Sequence, residues 1–301
     1  MEPSIALLYG GISSEREVSL ESGKCVYEAL KKSFKNVQLI DVNENFEKEI
    51  LNINADVYYV ILHGVFGEDG QIQRILEKNG KKFTGSGSKS CSLTMDKILT
   101  KELLVQNGIA TSPFLKFSHN LTHADIFDAL GLPLVVKPIL GGSSVELYIV
   151  KSMEELVKVP IKTHLFAEKF IKGREFTIGI IDGKALPVIE IATTKGVYDF
   201  DAKYVSNSTN YLFDSLHSDL EKRMQSIAEK VYRLTESEDV ARVDFMLSAD
   251  NEPFVLEINS IPGMTTHSLL PKAAAKTGIS FDELCKKIVN TALNRNVACS
   301  K

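Results

Sequence analysis

Apolar runs of strand length, separated by polar turns, dominate the first third of the chain. They are Ile5–Tyr9, Val37–Val42 and Val57–Leu62. A Gly-Gly turn follows the first run, and the spacing of Ser14 and Glu17 predicts a capping box ahead of an amphipathic helix that runs towards Ser33. Because apolar runs bounded by glycine-rich sequence are typical of buried parallel strands, the pattern predicts a doubly wound α/β domain.

The middle of the chain changes to an α+β pattern. Helical periodicity runs from Leu93 to about Gln106, and Gly108 is a suitable stop. Strands are expected next, at Leu134–Lys137, around Tyr148 and Phe166, and at Phe176–Ile181 and Ala185–Ile191. The spacing of these elements predicts three domains, at residues 1–92, 93–172 and 173–301.

The last third contains a polar stretch, residues 193–215, that is long for a structureless connection. Connections of this length are usually lids or binding loops, so we predict a lid. A helix from His217 to Thr235, a β-hairpin and a final helix at Phe281–Leu293 complete the pattern.

Composition narrows the class of protein. Among 301 residues, 44% are hydrophobic and 25% charged, with a net charge of -4 and no Lys/Arg block, which argues against nucleic-acid and membrane-surface partners. Neither a signal peptide nor a run of 18 apolar residues is present, so a cytoplasmic location is expected. The spacing of Cys25, Cys91, Cys285 and Cys299 indicates neither a zinc site nor a disulfide framework.

The predicted hairpin carries charge along one face. Read at period two, Arg242 and Asp244 share a face of the first strand, and Glu257 and Asn259 share a face of the second, with Phe254, Leu256 and Ile258 opposite. If residues 249–252 form the turn, antiparallel register sets Asp244 across from Glu257 and Arg242 across from Asn259.

Like charges directly opposed across a sheet are destabilising unless a cation lies between them. Carboxylate and amide oxygens are ligands that Mg²⁺ and Mn²⁺ prefer, so the hairpin is a candidate metal site. The alternative is a solvated face on which Arg242 neutralises the acids, and a one-residue slip in register would remove the site.

A second candidate site follows the strand that ends at Lys137. The small residues Gly141–Val145 could lay backbone N–H groups and the hydroxyls of Ser143 and Ser144 against phosphate. Neither a Walker A motif nor G-x-G-x-x-G is present, and a Gly/Ser turn between strands is often only a turn. The segment 166–175 mixes apolar residues and carboxylates, as an adenosine pocket could, and Lys203-Tyr204 add a cation and an aromatic ring in the predicted lid.

Six segments together resemble the D-alanine–D-alanine ligases of the ATP-grasp superfamily, from Leu8 to the last helix. They are residues 11–19 (GISSEREVS), 63–70 (HGVFGEDG), 95–97 (MDK), 137–145 (KP with GSSV), 198–204 (YDFDAKY) and 257–268 (EINSIPGMTTHS). The resemblance implies a pre-ATP-grasp domain followed by a two-subdomain ATP-grasp fold. It also implies that ATP drives the ligation of two D-alanines for peptidoglycan, by a homodimer.

The same resemblance implies roles for individual residues. ATP-binding residues would be Lys97, Lys137, Ser144, Glu168, Phe170, Ile171, Glu175 and Lys203. Two Mg²⁺ or Mn²⁺ ions would be held by Asp244, Glu257 and Asn259. The catalytic set would be Glu15, Ser143, Tyr204, Arg242, Gly263 and Ser268, with His63 and Leu269 at the substrates. Three of these residues could instead have ordinary structural roles: Glu15 as an acid at a helix N-terminus, His63 as a structural histidine and Ser268 as a helix N-cap.

Two residues of the small-residue loop depart from the family pattern. Glu146 stands where a glycine is usual, and Gly141 stands where an acidic residue is common. A carboxylate beside a triphosphate is repulsive unless it points away or meets a cation. The rival functions are a D-alanine–D-lactate ligase, against which Tyr204 argues, another ATP-grasp carboxylate–amine ligase, and a non-catalytic ATP-binding protein.

Overall fold

The computed structural model describes residues 2–43, 45–141, 146–193 and 209–295. Three sheets organise these residues, and helices cover their faces. The predicted sites Ser143, Ser144, Lys203 and Tyr204, most of the predicted lid, and Cys299 lie outside the described residues.

The N-terminal sheet is parallel, as the apolar runs predict. Its strands are β1 (Ser4–Gly10), β2 (Asn36–Val42) and β3 (Val57–Val60), in the order β2-β1-β3. Helix α1 (Arg16–Lys31) packs on β1 and β2, and α10 (Phe281–Asn294) packs on α1 and β3. Strands β1 and β3 are largely buried, whereas β2 is an edge strand whose residues are exposed or half-buried except for the buried Val42.

One short helix joins β2 to β3, and three more connect this sheet to the next. They are α2 (Phe46–Glu49), followed by a 3₁₀ turn, α3 (Gln71–Lys78), α4 (Ser88–Met95) and α5 (Lys97–Gln106). The central antiparallel sheet then has the order β4-β7-β5-β6, with β4 (Phe114–Lys116), β5 (Leu134–Pro138), β6 (Tyr148–Val150) and β7 (Leu165–Lys169). Helices α6 (His123–Leu130) and α7 (Met153–Leu156) pack against it through Ile126, Leu130 and Leu156.

The third sheet is antiparallel, in the order β11-β10-β8-β12-β13, with β9 paired to β8. Its strands are β8 (Gly173–Ile181), β9 (Lys184–Ala185), β10 (Ile189–Thr193), β11 (Thr209–Leu212), β12 (Val240–Ser248) and β13 (Pro253–Asn259). Helix α8 (Ser218–Leu234) packs on the sheet through Met224, Ala228 and Val231. Helix α9 (Leu269–Lys276) also packs against β8.

Three local predictions are wrong. Helix α1 begins at Arg16 with Glu15 as its N-cap, so Ser14 and Glu17 form no capping box; the Ser13 hydroxyl instead accepts from the Glu15 N–H. The helix predicted from Leu93 to Gln106 is divided at Asp96, whose side chain caps α5 by accepting from the N–H groups of Ile98 and Leu99. The strand predicted at Ala185–Ile191 is two strands.

The fold class is confirmed: a parallel α/β unit precedes two antiparallel sheets with helices. Helices α3, α6 and α9 were not predicted, because each is short and lies between stronger signals. No helix among the described residues is long and apolar enough to cross a membrane.

Candidate active site

The β12–β13 hairpin brings the predicted metal-binding residues together. Asp244 pairs with Glu257 and Arg242 pairs with Asn259, as predicted. The turn, however, contains one residue more than predicted, because Leu247 pairs with Pro253 and Phe245 with Val255. A bulge between Asp244 and Phe245 absorbs the extra residue of β13 and restores the predicted register at the charged end.

The bulge also changes which side chains face the core. Val255 and Ile258 belong to the buried cluster under α8, whereas Phe254 and Leu256 are only half-buried. The predicted apolar face of Phe254, Leu256 and Ile258 is therefore wrong in two of its members, because strict alternation fails where two residues oppose one.

Arg242 neutralises Asp244 directly. Its Nε lies 2.9 Å from Asp244 Oδ1 and its terminal nitrogen 2.7 Å from Oδ2. Asp244 Oδ1 also accepts from the Thr177 hydroxyl at 2.6 Å. Thr177 lies opposite Asp244 on β8 and orients the carboxylate. No pattern in the amino-acid sequence predicts this role.

The donor set of the hairpin fits a hard divalent cation. Two carboxylates from adjacent strands and an amide oxygen lie at one end of the sheet, and Asn259 Oδ1 accepts the Ile261 N–H at 2.9 Å, which fixes the side chain. The described residues contain no group of three or more His, Cys, Asp or Glu arranged to hold a metal. A metal ion would therefore need Asn259 or a ligand oxygen besides Asp244 and Glu257.

Lysines from two elements converge beside this hairpin. Lys97, the first residue of α5, donates to the Gly141 carbonyl at 2.5 Å and lies 3.8 Å from Glu257 Oε2. Lys137, on β5, lies 2.7 Å from Glu168 Oε1. Lys101, which sequence analysis did not single out, lies 2.8 Å from Glu168 Oε2.

These lysines are removed from solvent. Only 11% of the Lys97 side chain, 13% of Lys137 and none of Lys101 is exposed, and Glu168 is 5% exposed. Burial favours a raised pKa for Glu168, but Lys137 and Lys101 overcome it and hold that pKa below its ordinary value. Burial outweighs the nearby carboxylates at Lys97 and Lys101 and lowers both pKa values.

Basic side chains are therefore concentrated at this point, away from water. Lys97, Lys101 and Lys137 pair with Glu168 and Glu257, and Glu175 also acts on Lys137. Three buried ammonium groups so close together favour the binding of a multiply charged anion. Lys101 could have been found in the sequence, because it follows Lys97 by one helical turn on α5.

The Glu146 carboxylate contacts two basic side chains. Its carboxylate lies 3.1 Å from Lys162 Nζ and 3.0 Å from His164 Nε2, and these contacts lower its pKa. Its φ of 53° is in the left-handed region, which explains why glycine suits this position. The predicted repulsion from a phosphate is thus relieved by Lys162 and His164. Gly141, at the other end of the loop, also has positive φ.

The predicted substrate end contains Glu15 and His63, together with Glu68, for which the sequence predicts no role. A Cβ at Gly64, whose φ is 72°, would lie 2.7 Å from Glu15 Oε2, so only glycine lets the carboxylate approach. Glu68 accepts the Gly64 N–H at 2.8 Å. Burial and the charge of Glu15 raise the pKa of Glu68 to about 8.

His63 follows β3 and is buried. Burial and the charge of Arg242 lower its pKa to about 4, so the imidazole is neutral at physiological pH. Its Nε2 has no hydrogen-bond partner among the described residues, whereas the adjacent backbone carbonyl accepts from the Ser13 hydroxyl at 2.6 Å. A buried ring nitrogen without a partner is atypical of a structural histidine and favours a ligand-binding role.

The loop before α9 brings Gly263, Ser268 and Leu269 together. Ser268 occupies the N-cap position of α9, but its hydroxyl makes no cap hydrogen bond; it accepts from the Thr265 N–H at 3.0 Å. A Cβ on Gly263 would lie 3.0 Å from Ser268 Oγ. The alternative reading of Ser268 as an ordinary N-cap is thus correct in position only.

The segment between β7 and β8 carries the remaining predicted contacts. Phe170 and Ile171 are half-buried in this connection, and the Phe170 N–H donates to the Pro133 carbonyl at 3.1 Å. Glu175 lies on β8 opposite Met246 and contributes to the positive pKa shift of Lys137. Of these three residues, Glu175 is thus close enough to the lysines to act on one of them.

Comparisons with known proteins agree on one family. The model of the D-ala D-ala ligase C-terminus matches residues 103–290. The D-alanine–D-alanine ligase of Bordetella petrii is 39% identical over 96% of this chain and 91% of its own. The crystal structure of the Bacillus anthracis D-alanine–D-alanine ligase superposes with a TM-score of 0.85 and 35% identity, covering 96% and 97% of the two chains. The same ligase complexed with ATP has a TM-score of 0.85 and 34% identity, covering 97% of each chain.

The left-handed backbone of Glu146 can be tested with two substitutions. Glu146→Ala and Glu146→Gly both remove the contacts to Lys162 and His164, but only alanine keeps a Cβ in the left-handed region. We expect the glycine variant to be more stable than the alanine variant by roughly 1 kcal/mol, seen as a higher Tm. Equal Tm values for the two variants would contradict this account of the position.

The raised pKa of Glu68 predicts a pH-dependent stability. In the folded chain the carboxyl stays protonated to about pH 8, whereas in the unfolded chain it ionises near 4.5. The folded state therefore binds more protons between these values, and its stability advantage is lost as pH rises through 8.

Glu68→Gln has no such proton to lose. We expect its Tm, relative to the parent, to rise between about pH 5 and about pH 8.5, because only the parent loses stability there through this group. Glu154→Gln, at an exposed helical position, serves as the control. A Tm difference between Glu68→Gln and the parent that does not change with pH would show that Glu68 titrates normally.

Proposed function

This chain belongs to the D-alanine–D-alanine ligase family, and we propose how it joins two D-alanine molecules at the expense of ATP. The observation that carries the proposal is the buried cluster of Lys97, Lys101 and Lys137, directly beside the Asp244–Glu257 hairpin. Such a cluster suits the phosphates of a nucleotide. The product, D-alanyl-D-alanine, is a unit of bacterial cell-wall peptidoglycan.

The reaction has two steps. A carboxylate oxygen of the first D-alanine attacks the γ-phosphorus, the bond to the β-phosphate oxygen breaks, and ADP and an acyl phosphate form. The free amine of the second D-alanine then attacks the acyl carbon, loses a proton and expels phosphate. Two anions meet in the first step, so positioning and charge neutralisation supply most of the rate enhancement.

Nucleotide binding is assigned to the lysine side of the site. Lys97 and Lys137 contact the phosphates, Glu168, Phe170 and Ile171 line the adenine, and Glu175 holds the ribose. Lys137 is paired with Glu168 at 2.7 Å, so its contact with phosphate requires that pair to open or to be shared. Ser144 and Lys203 complete this set outside the described residues.

Asp244, Glu257 and Asn259 would hold two Mg²⁺ or Mn²⁺ ions. Bound metal supplies charge neutralisation at the phosphate oxygens. The pairing of Asp244 with Arg242 supports a coupling, because a cation that takes Asp244 oxygens competes with the guanidinium. Arg242 then becomes available to the developing oxyanion of the second step, together with the Gly263 N–H.

Substrate binding is assigned to the opposite end. The Glu15 carboxylate receives the ammonium of the first D-alanine, and neutral His63 lies near the substrates. Ser268 and the Leu269 N–H take the carboxylate of the second, which the N-terminus of α9 also attracts. Ser143 and Tyr204 link Glu15 to the lid, residues 193–215, which excludes water from the acyl phosphate.

Further assignments follow from the family. We place the enzyme in the cytoplasm as a homodimer with no nucleic-acid or membrane partner, and divide it at residues 92 and 172 into a substrate domain and two ATP-grasp subdomains. Helix α10 returns to pack on α1 and β3, so the C-terminal subdomain also completes the N-terminal core.

The first test measures phosphate release with ATP and Mg²⁺, with product identity checked by mass spectrometry. D-Alanine should give one D-alanyl-D-alanine per phosphate, and L-alanine should give little of either. Addition of D-lactate to D-alanine should yield no ester product. ATP binding without any dipeptide would refute the proposed function, and ester as the main product would identify a D-alanine–D-lactate ligase.

The second test concerns Arg242. Loss of one oxyanion donor typically lowers turnover by about 10²–10³, so we expect Arg242→Ala to lose that much in kcat while retaining nucleotide binding. Arg223→Ala, which removes an exposed ion pair with Glu252 at the far end of the same hairpin, is the matched control and should keep its rate. A near-normal kcat in Arg242→Ala would remove Arg242 from the mechanism.

A further inference from the structure

Lys101 belongs to the buried lysine cluster, but the proposed mechanism gives it no contact with a substrate. No part of its side chain is exposed. Lys101 pairs with Glu168 Oε2, and Lys137 pairs with Oε1 of the same carboxylate. An ammonium group in such a place must have partners that offset its lost hydration. Its presence therefore has to be explained by Glu168 and the neighbouring acceptors.

The two lysines are anchored differently. Lys101 donates to the Thr111 hydroxyl at 2.7 Å and to the Ser112 carbonyl at 3.4 Å, and its ammonium lies 5.6 Å from the Phe114 ring centroid. Among the described residues Lys137 has no neutral hydrogen-bond acceptor: it pairs with Glu168, lies over the Phe166 ring, and also feels the charges of Glu257 and Glu175. Lys101 thus keeps uncharged partners without Glu168, whereas Lys137 depends on carboxylates.

Sheet register explains why Lys137 reaches Glu168. Val135 lies opposite Glu168 and Lys137 lies opposite Phe166, so Lys137 and Glu168 are diagonal neighbours on one face of the sheet. Lys101 approaches the same carboxylate from helix α5. The sheet lysine can therefore turn to a phosphate while the helix lysine stays.

Departure of Lys137 changes the electrostatics of Glu168. A buried carboxylate with no cation would take up a proton, because burial alone raises its pKa. As an ionised acceptor Glu168 binds the 6-amino group of adenine strongly, whereas a protonated carboxyl keeps only a weaker acceptor oxygen and gains an O–H that can donate to a 6-carbonyl. Protonation of Glu168 would thus lower its preference for adenine.

We propose that Lys101 is a positioning residue that keeps Glu168 ionised and oriented for adenine while Lys137 engages the phosphates. The inference rests on the proposed nucleotide site, and Lys101 itself touches no substrate. Its two neutral acceptors hold Lys101 in place when Lys137 turns to the phosphates, so that Glu168 always keeps one cation beside it.

The test is calorimetric binding of ADP and IDP, with Mg²⁺, to the full-length protein. IDP carries a carbonyl where ADP carries the 6-amino group. We expect Lys101→Met to weaken ADP binding by about tenfold and to reduce the preference for ADP over IDP at least about fivefold. Lys116→Met, an exposed lysine on β4, is the matched control and should change neither value.

A double-mutant cycle separates this role from a merely structural one. In a Glu168→Gln background there is no charge to hold, so adding Lys101→Met should change ADP affinity by less than about twofold. Additive losses in that background, or equal losses for ADP and IDP, would overturn the inference.

Thermal unfolding will show whether Lys101→Met remains folded. Should it fail to fold, Thr111→Val removes one neutral acceptor of Lys101 and keeps every charge; we expect a smaller loss of ADP preference, and an unchanged ADP-to-IDP ratio would refute the role. A parent that binds ADP but forms no D-alanyl-D-alanine would refute the proposed function alone, since the binding ratios decide Lys101 independently.

Discussion

The need to balance charge in a space closed to water governs the arrangement of this site. Lys97, Lys101 and Lys137 are each largely or wholly buried, and Glu168, Glu257 and Glu175 offset their charges. Neutral acceptors, such as Thr111 for Lys101, add to this stabilisation. Under the proposed function a nucleotide enters this balance, so the lysines nearest to its phosphates exchange carboxylate partners for phosphate oxygens.

The same principle applies on the hairpin with the sign reversed. Asp244 and Glu257 face each other across two strands, and Arg242 occupies Asp244 through two hydrogen bonds. One guanidinium therefore has two possible partners, a carboxylate and the oxyanion of the reaction. A cation held by Asp244 would compete with Arg242 for this carboxylate and would supply charge neutralisation in its place.

The sequence predicted where the strands lie better than it predicted their turns and exact pairing. The parallel strands follow from their apolar runs, and the pairing of Asp244 with Glu257 was predicted by counting the turn residues. That count was wrong by one, and a bulge between Asp244 and Phe245, next to the charged pair, restored the predicted register there. Asp96 divides a helix whose periodicity continues across it, and the importance of Lys101 depends on Glu168, 67 positions away in the chain, which no local pattern encodes.

The turn at residues 162–164 shows how a departure from a family pattern can be accommodated. The Ile139 N–H donates to the His164 carbonyl at 2.8 Å, just before the small-residue loop, and the His164 ring meets Glu146 just after it. One short segment therefore holds both ends of the predicted phosphate loop. Where a glycine would adopt the left-handed backbone without cost, Glu146 incurs that cost and gains Lys162 and His164 as partners. The negative charge thereby faces two basic groups instead of a phosphate, and the loop keeps its ends fixed without its usual glycine.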